Sequence, residues 1–171
     1  DPLAGRIFPP SPAVTLNFAQ EDAVSRIVAS IGAGNRRPFL LQGVTGSGKT
    51  EVYLAAVNAC IDRGLRSIVL VPEISLAPQT IEWFAARFPG RVAVLHSGLS
   101  AGQQRDQWWQ VKAGSYPIVV GSRGAIFAPQ PDLGLVVIDE EHEWTYKQRD
   151  ADPRYHAREV ALALGRRCGA T

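Results

Sequence analysis

The sequence predicts an α/β fold, a mostly parallel, twisted sheet with helices on both faces. Three observations carry that expectation. Strand-like and helix-like segments alternate along the chain with short connections, the order of a parallel sheet built from crossover units. The strand-like runs, such as "SIVLV" at 67–71, are apolar and rich in β-branched residues, so they are buried on both faces. A glycine-rich stretch, "GVTGSGKT" at 43–50, separates one such run from a helix-like segment.

The elements follow in order. "DPLAGRIFPPSP" carries Pro2, Pro9, Pro10 and Pro12, which rules out a helix and makes residues 1–14 a Pro-rich arm or linker. Residues 15–171 form the domain. Asn17, with Gln20 three positions on, has capping-box spacing and starts a helix over 18–31 that Gly32 and Gly34 end. "FLLQ" at 39–42 reads as a short buried strand. A helix over 49–63 stops at Gly64, and the strand 67–71 comes next. A helix over 78–88 ends before Pro89-Gly90 and leads to a strand at 91–96. Ser100 with Gln103 repeats the capping-box spacing and opens a helix to Ala113. Strands at 117–122 and 133–139 and a helix over 154–165 complete the series.

Composition bounds the function without choosing it. A chain of 171 residues, 46% apolar and 20% charged, has enough material for one globular domain. No apolar run approaches the roughly 20 residues that cross a bilayer, so no membrane role is expected. A net charge of +2 neither demands nor forbids a nucleic-acid partner. Cys60 and Cys168 make neither a zinc site nor a disulfide framework, which suits a reducing, cytoplasmic setting. The chain begins at Asp1 rather than Met, as a piece of a longer protein would.

Two stretches carry chemistry. "GVTGSGKT" fits G-x-x-x-x-G-K-[ST] between a strand and a helix, the setting of a phosphate-binding P-loop. Gly43, Gly46 and Gly48 let the backbone curl, and its N–H groups, with those of Thr45 and Ser47, make an anion cradle at a helix N-terminus. Lys49 reaches the β- and γ-phosphates, and Thr50 offers a hydroxyl to Mg²⁺. "DEEHEWTYKQ", 139–148, supplies what such a site needs from a second strand. Asp139 ends an apolar run, where its carboxylate meets the metal at the mouth of the sheet. Glu140 beside it is the candidate base that activates water. His142 lies just beyond and couples the site to neighbouring elements. An acidic turn by itself would be an ordinary solvated surface; pairing with the P-loop gives it a catalytic reading.

Past the acids, Trp144, Tyr146 and Tyr155 offer flat faces for bases, and Lys147, Arg149, Arg154 and Arg158 offer charge for phosphates, the means by which single strands are held. Trp144 and Tyr155 equally suit packing of this loop onto the domain, and Arg158 equally suits a salt bridge from the last helix. Trp108 and Trp109, with Arg105, read as core and rim of their helix; His96 closes a strand, where it suits a structural histidine better than an approach to DNA.

"GVTGSGKTEVY", "VPEISLAPQT", "GSRGAIFAP" and "DEEHEWTYKQ…PRYHAREVA" together resemble the replication-restart DNA helicases, members of superfamily 2 of the DExH type. The likeness runs from about Leu16 to Ala163. It implies the first of two RecA-like motor lobes of a P-loop NTPase. The implied activity is an ATP-dependent 3′-to-5′ DNA helicase that serves primosome assembly. The implied cofactors are ATP and Mg²⁺. The implied partners are single-stranded or forked DNA, a second helicase lobe and other replication-restart proteins. Zinc, and the second lobe with its arginine finger, would lie beyond residue 171. By the same resemblance Gln20 reads adenine, Pro72, Glu73, Gln79, Ser122 and Arg123 hold single-stranded DNA, and 144–158 is an aromatic-rich loop coupling DNA to hydrolysis. The family's third motif is missing, and "GAT" at 169–171 is read as the turn ahead of its strand. The alternatives are another helicase-class P-loop NTPase, acting on RNA or in repair, and a nucleotide-binding module that does not hydrolyse.

Overall fold

Parallel strands buried on both faces need helices above and below, and the computed structural model has that layering. It describes residues 9, 14–33, 37–44, 46–73 and 78–171, apart from the side chains of residues 78 and 79. The helices are α1 (Phe18–Ser30), α2 (Lys49–Asp62), α3 (Pro78–Arg87), α4 (Ala101–Lys112) and α5 (Ala157–Cys168). The strands are β1 (Arg66–Leu70), β2 (Val92–Leu95), β3 (Ile118–Gly121) and β4 (Leu133–Ile138). Among the described residues the sheet runs β2-β3-β1-β4, and every paired neighbour is parallel. Short 3-10 turns at Arg123–Phe127 and Trp144–Tyr146 follow β3 and β4.

The pleat sorts side chains to two cores. Val69, Val94, Val120 and Leu135 face α1, α2 and α3, where Val57, Phe84 and Phe88 meet them. Ile68, Leu70, Ala93 and Val119 face the other way, against Val111 of α4, Ala157 of α5 and Ile126. Each valine, leucine, isoleucine or phenylalanine among these contributes about 1.5–3 kcal/mol on burial. At the end of β3, chain packing requires a glycine. A Cβ on Gly121 would stand 2.0 Å from the Leu95 carbonyl oxygen.

Both expected capping boxes form. The Asn17 side chain accepts from Gln20 N while the Gln20 side chain accepts from Asn17 N, and Ser100 and Gln103 do the same. Three expectations fail. The last helix starts at Ala157, not 154, because the His156 side chain accepts from Arg158 N and caps it there. It runs through Gly165 to Cys168 and closes at Gly169, which takes the left-handed conformation at φ 75°. Gly165 serves packing instead, since a Cβ there would lie 3.1 Å from the Ala170 carbonyl oxygen.

The second failure is "FLLQ". Among the described residues 37–44 there is no strand, and Leu40 is 79% exposed. Parallel strands are held by pairing, and among the described residues this segment pairs with no neighbour. A cleft of about 670 Å³ separates residues 37–43 from β4. The edge of β4 that faces it is occupied at one end by Thr171, whose N–H donates to Gly134 O at 3.0 Å while its carbonyl accepts from Val136 N at 2.9 Å. That is parallel-ladder geometry, so Thr171 has already left the turn expected at 169–171. The Pro-rich arm falls outside the described residues except for Pro9 and Val14.

Candidate functional site: a phosphate loop facing an acidic strand end

Local backbone rules shape the loop. Gly46 and Gly48 sit at φ 79° and 78°, the left-handed region glycine enters without cost. Gly48 is the N-cap of α2, and no described side chain caps that helix, so its first N–H groups face the loop. Lys49 folds back over the loop, its Nζ donating to Gly43 O at 2.8 Å and Val44 O at 3.3 Å. Ser47 N donates to Val44 O at 3.1 Å. Thr45 lies outside the described residues.

Gln20 arrives from α1. Its Nε2 donates to Ser47 O at 3.1 Å and Gly48 O at 3.5 Å, while its Oε1 completes the capping box. One side chain therefore ties the helix start to the phosphate loop. A Cβ on Gly48 would lie 2.4 Å from that Nε2.

The acidic strand end closes on the same cleft. Asp139 directly follows β4, and its N–H donates to Leu70 O at 2.9 Å. Burial pushes its carboxyl pKa up; a hydrogen bond from Tyr53 pulls it down, neighbouring Glu140 pushes it up again, and Lys49 lowers it. Glu140 takes φ 45°, a conformation that a side-chain-bearing residue adopts at a cost of about 1–2 kcal/mol. Its N–H donates to Asp139 Oδ1 at 3.1 Å, and its carbonyl accepts from Glu143 N at 2.9 Å. This tight turn aims the Glu140 carboxylate at two groups, Lys49 Nζ and His142 Nε2, each 3.8 Å away. Gly43, Lys49, Asp139, Glu140 and His142 line the cleft together. Thr50 stands behind it, 3.0 Å from the Tyr53 hydroxyl.

The expected DNA contacts divide. Glu73, Ser122, Arg123 and Tyr155 line a second cleft, of about 290 Å³, beyond the carboxyl ends of β2 and β3. Glu73 hydrogen-bonds Ser97 there. Arg123 is engaged within the fold, its Nη1 donating to Thr145 O at 3.0 Å and Lys147 O at 3.3 Å. Tyr155 meets Phe127 edge to face at 4.9 Å. Pro72 is buried, and the Gln79 side chain falls outside the described residues. In the aromatic loop Trp144 is 66% exposed, but Tyr146 is 1% exposed and donates to Asp139 O at 2.6 Å and Leu70 O at 3.2 Å. Tyr146 is a core residue, not an open stacking face. Lys147 bridges antiparallel to His156. Arg158 makes the salt bridge its helix position allowed, 3.0 Å to Glu141.

Sequence reasoning passed over two features. Trp108 and His96 reach the second cleft. Trp108 shares a helix face with Gln104, also at that cleft, and four-residue spacing was the available signal. Tyr53, three residues after Thr50 on α2, was findable by the same rule.

A phosphate loop, a facing carboxylate pair and a parallel sheet define a RecA-like P-loop nucleotide-binding lobe. A family model described as DEAD/DEAH box helicase matches residues 18–168, and the chain belongs to that family. It is 46% identical over 162 residues to the replication restart protein PriA of Bacillus subtilis, covering 95% of this chain and 20% of that protein. It is 44% identical over 164 residues to PriA of Chlamydia pneumoniae, covering 96% of this chain and 22% of that one. The chain thus spans about a fifth of the length of these relatives. Among solved structures it is similar to RecG bound to a three-way DNA junction, with a TM-score of 0.65 and 29% identity over 82% of this chain and 20% of that one. A hypothetical ATP-dependent RNA helicase of Sulfolobus tokodaii shares the fold, with a TM-score of 0.52 and 21% identity over 75% of this chain and 38% of that one.

Proposed function

We propose that this chain is the first motor lobe of an ATP-dependent DNA helicase acting in replication restart, translocating 3′ to 5′. One observation carries the ATPase part: Lys49 of the phosphate loop and Glu140 of the acidic strand end stand 3.8 Å apart across a shared cleft, next to Asp139. Similarity to PriA and to RecG supports DNA rather than RNA as the track.

In this reading the loop backbone and Lys49 hold the phosphates and Gln20 faces adenine. Glu140 takes a proton from the water whose oxygen attacks the γ-phosphorus, as the bond from that phosphorus to the bridging oxygen breaks and ADP departs. Thr50 and Asp139 would hold Mg²⁺. The fit is chemical: both offer oxygen, and among the described residues no cluster of three acidic, histidine or cysteine side chains builds a complete cage. Magnesium takes few protein oxygens and completes its shell with phosphates and water. When bound, it supplies positive charge to the triphosphate. In the same reading His142, beside Glu140, and the Glu141–Arg158 pair relay the site's state to α5, a role that their ion pairs support. Zinc belongs outside this chain. The setting is cytoplasmic, and no described helix is long and apolar enough to cross a membrane.

Phosphate release with and without single-stranded DNA or RNA tests the reading. The isolated chain is expected to hydrolyse ATP slowly and without response to DNA, and the full-length protein to respond to DNA. Brisk, DNA-stimulated turnover by the chain alone would overturn the need for a second lobe. Stimulation of the full-length protein by RNA alone would overturn the choice of DNA.

Of the three aromatics in the loop, Trp144 is the exposed one, at 66%, while Tyr155 is half-buried and Tyr146 buried. Trp144→Ala is expected to weaken single-stranded DNA binding by about 1–3 kcal/mol, the worth of one stacked base. Its melting temperature should stay at the parent value. Unchanged affinity in a fluorescence-anisotropy titration would remove Trp144 from the interface.

A further inference from the structure

Arg123 opens the 3-10 turn after β3, and its half-buried side chain reaches the turn after β4. There Nη1 donates to Thr145 O at 3.0 Å and Lys147 O at 3.3 Å, the two carbonyls that flank Tyr146. Two routes lead on from Tyr146 to the acidic strand end. Its hydroxyl donates to Asp139 O at 2.6 Å and to Leu70 O at 3.2 Å. Its N–H donates to Glu143 O at 3.3 Å, and Glu143 N donates to Glu140 O at 2.9 Å. Hydrogen bonds thus link the end of β3, through the turn at 144–147, to both Asp139 and Glu140.

Two features separate Arg123 from a residue that only satisfies loop carbonyls. A neutral donor would serve a carbonyl as well, yet this one is a cation, and among the described residues it forms no ion pair. It also lines the second cleft, with Glu73, Ser122 and Tyr155. A guanidinium carries five N–H donors in one rigid plane, so one side chain can grip a turn and meet an anion together.

We infer that Arg123 is a positioning residue for hydrolysis: it fixes the turn that sets Asp139 and Glu140, and so makes their geometry depend on a DNA phosphate in the second cleft. The inference rests on the reading of Glu140 as the base and of DNA as the track. Coupling needs one element that both sites bias, and here that element is 144–147. A misplacement of about 1 Å at a reacting group can cost about 10²-fold in rate.

Arg123→Lys tests this in the full-length protein, because it keeps a charge for phosphate and loses the planar fork. Affinity for single-stranded DNA is expected to stay near the parent value, while kcat at saturating DNA falls by about 10-fold or more. Hydrogen exchange of the Tyr146 and Lys147 amides, measured without DNA, should become faster while the rest of the domain keeps its rates. A parent-like kcat at saturating DNA would overturn the inference. So would a lower kcat with unchanged exchange in the turn, which places the effect at the cleft alone. Faster exchange throughout the domain would overturn it too, since that marks a purely structural arginine. The parent protein separates these outcomes from failure of the underlying reading. If DNA does not stimulate the parent, the helicase reading falls and this inference with it. If DNA stimulates the parent and the Lys variant equally, only the positioning role falls.

Discussion

Glu140→Gln is expected to leave ATP bound and to lower its hydrolysis by roughly 10²–10⁴-fold, the usual worth of a general base. Glutamine has the shape of glutamate, so the turn at φ 45° and the backbone bonds to Asp139 and Glu143 have no steric reason to change. What disappears is the ability to take a proton. The charge facing Lys49 at 3.8 Å disappears too, and the ammonium is then freer to turn toward phosphate. ATP affinity should therefore hold or tighten as turnover collapses. Lys49→Ala provides the contrast, because it removes the phosphate contact and should weaken binding itself. Single-turnover phosphate release and equilibrium nucleotide binding on the full-length protein separate the two. Normal turnover by the Gln variant would take the base role from Glu140 and leave its left-handed backbone without a catalytic reason.

Much of this site was legible because its signals are local. A capping box spans four residues, and both form as the spacing requires. The phosphate loop needs glycines at fixed offsets, and Gly46 and Gly48 take the left-handed conformations that explain them. What stayed hidden depends on partners distant in sequence. "FLLQ" has the composition of a buried strand, but composition cannot supply the neighbour that a parallel strand must bond. Gly165 looks like a helix stop, yet it is there because Ala170 approaches closely. Arg123 and Arg158 carry charges that suit phosphate, and the fold has given them carbonyls and Glu141. Tyr53 was passed over because the cleft it lines is completed by Asp139, far away in the sequence.

The same limit makes Tyr146 the most discriminating residue for stability. Trp144 and Tyr146 are two positions apart in one 3-10 turn, and one is exposed where the other is buried. Tyr146→Ala is expected to destabilise the domain by roughly 3–5 kcal/mol, the range for emptying a large aromatic site. The loss has two parts. The ring leaves a void in the core it shares with Leu70 and Ala157. Without the hydroxyl, the Asp139 carbonyl loses its donor, while Leu70 O keeps the Asp139 N–H. Tyr146→Phe isolates the second part and should cost about 1–3 kcal/mol. Thermal and urea unfolding measure both. Since the Asp139 carbonyl is the orphaned group, the Phe variant should also loosen the strand end that presents the carboxylate, and Mg²⁺-dependent nucleotide binding should weaken with it. A Tyr146→Ala protein that unfolds like its parent but loses single-stranded DNA would reverse the assignment and return Tyr146 to the open stacking face the sequence suggested.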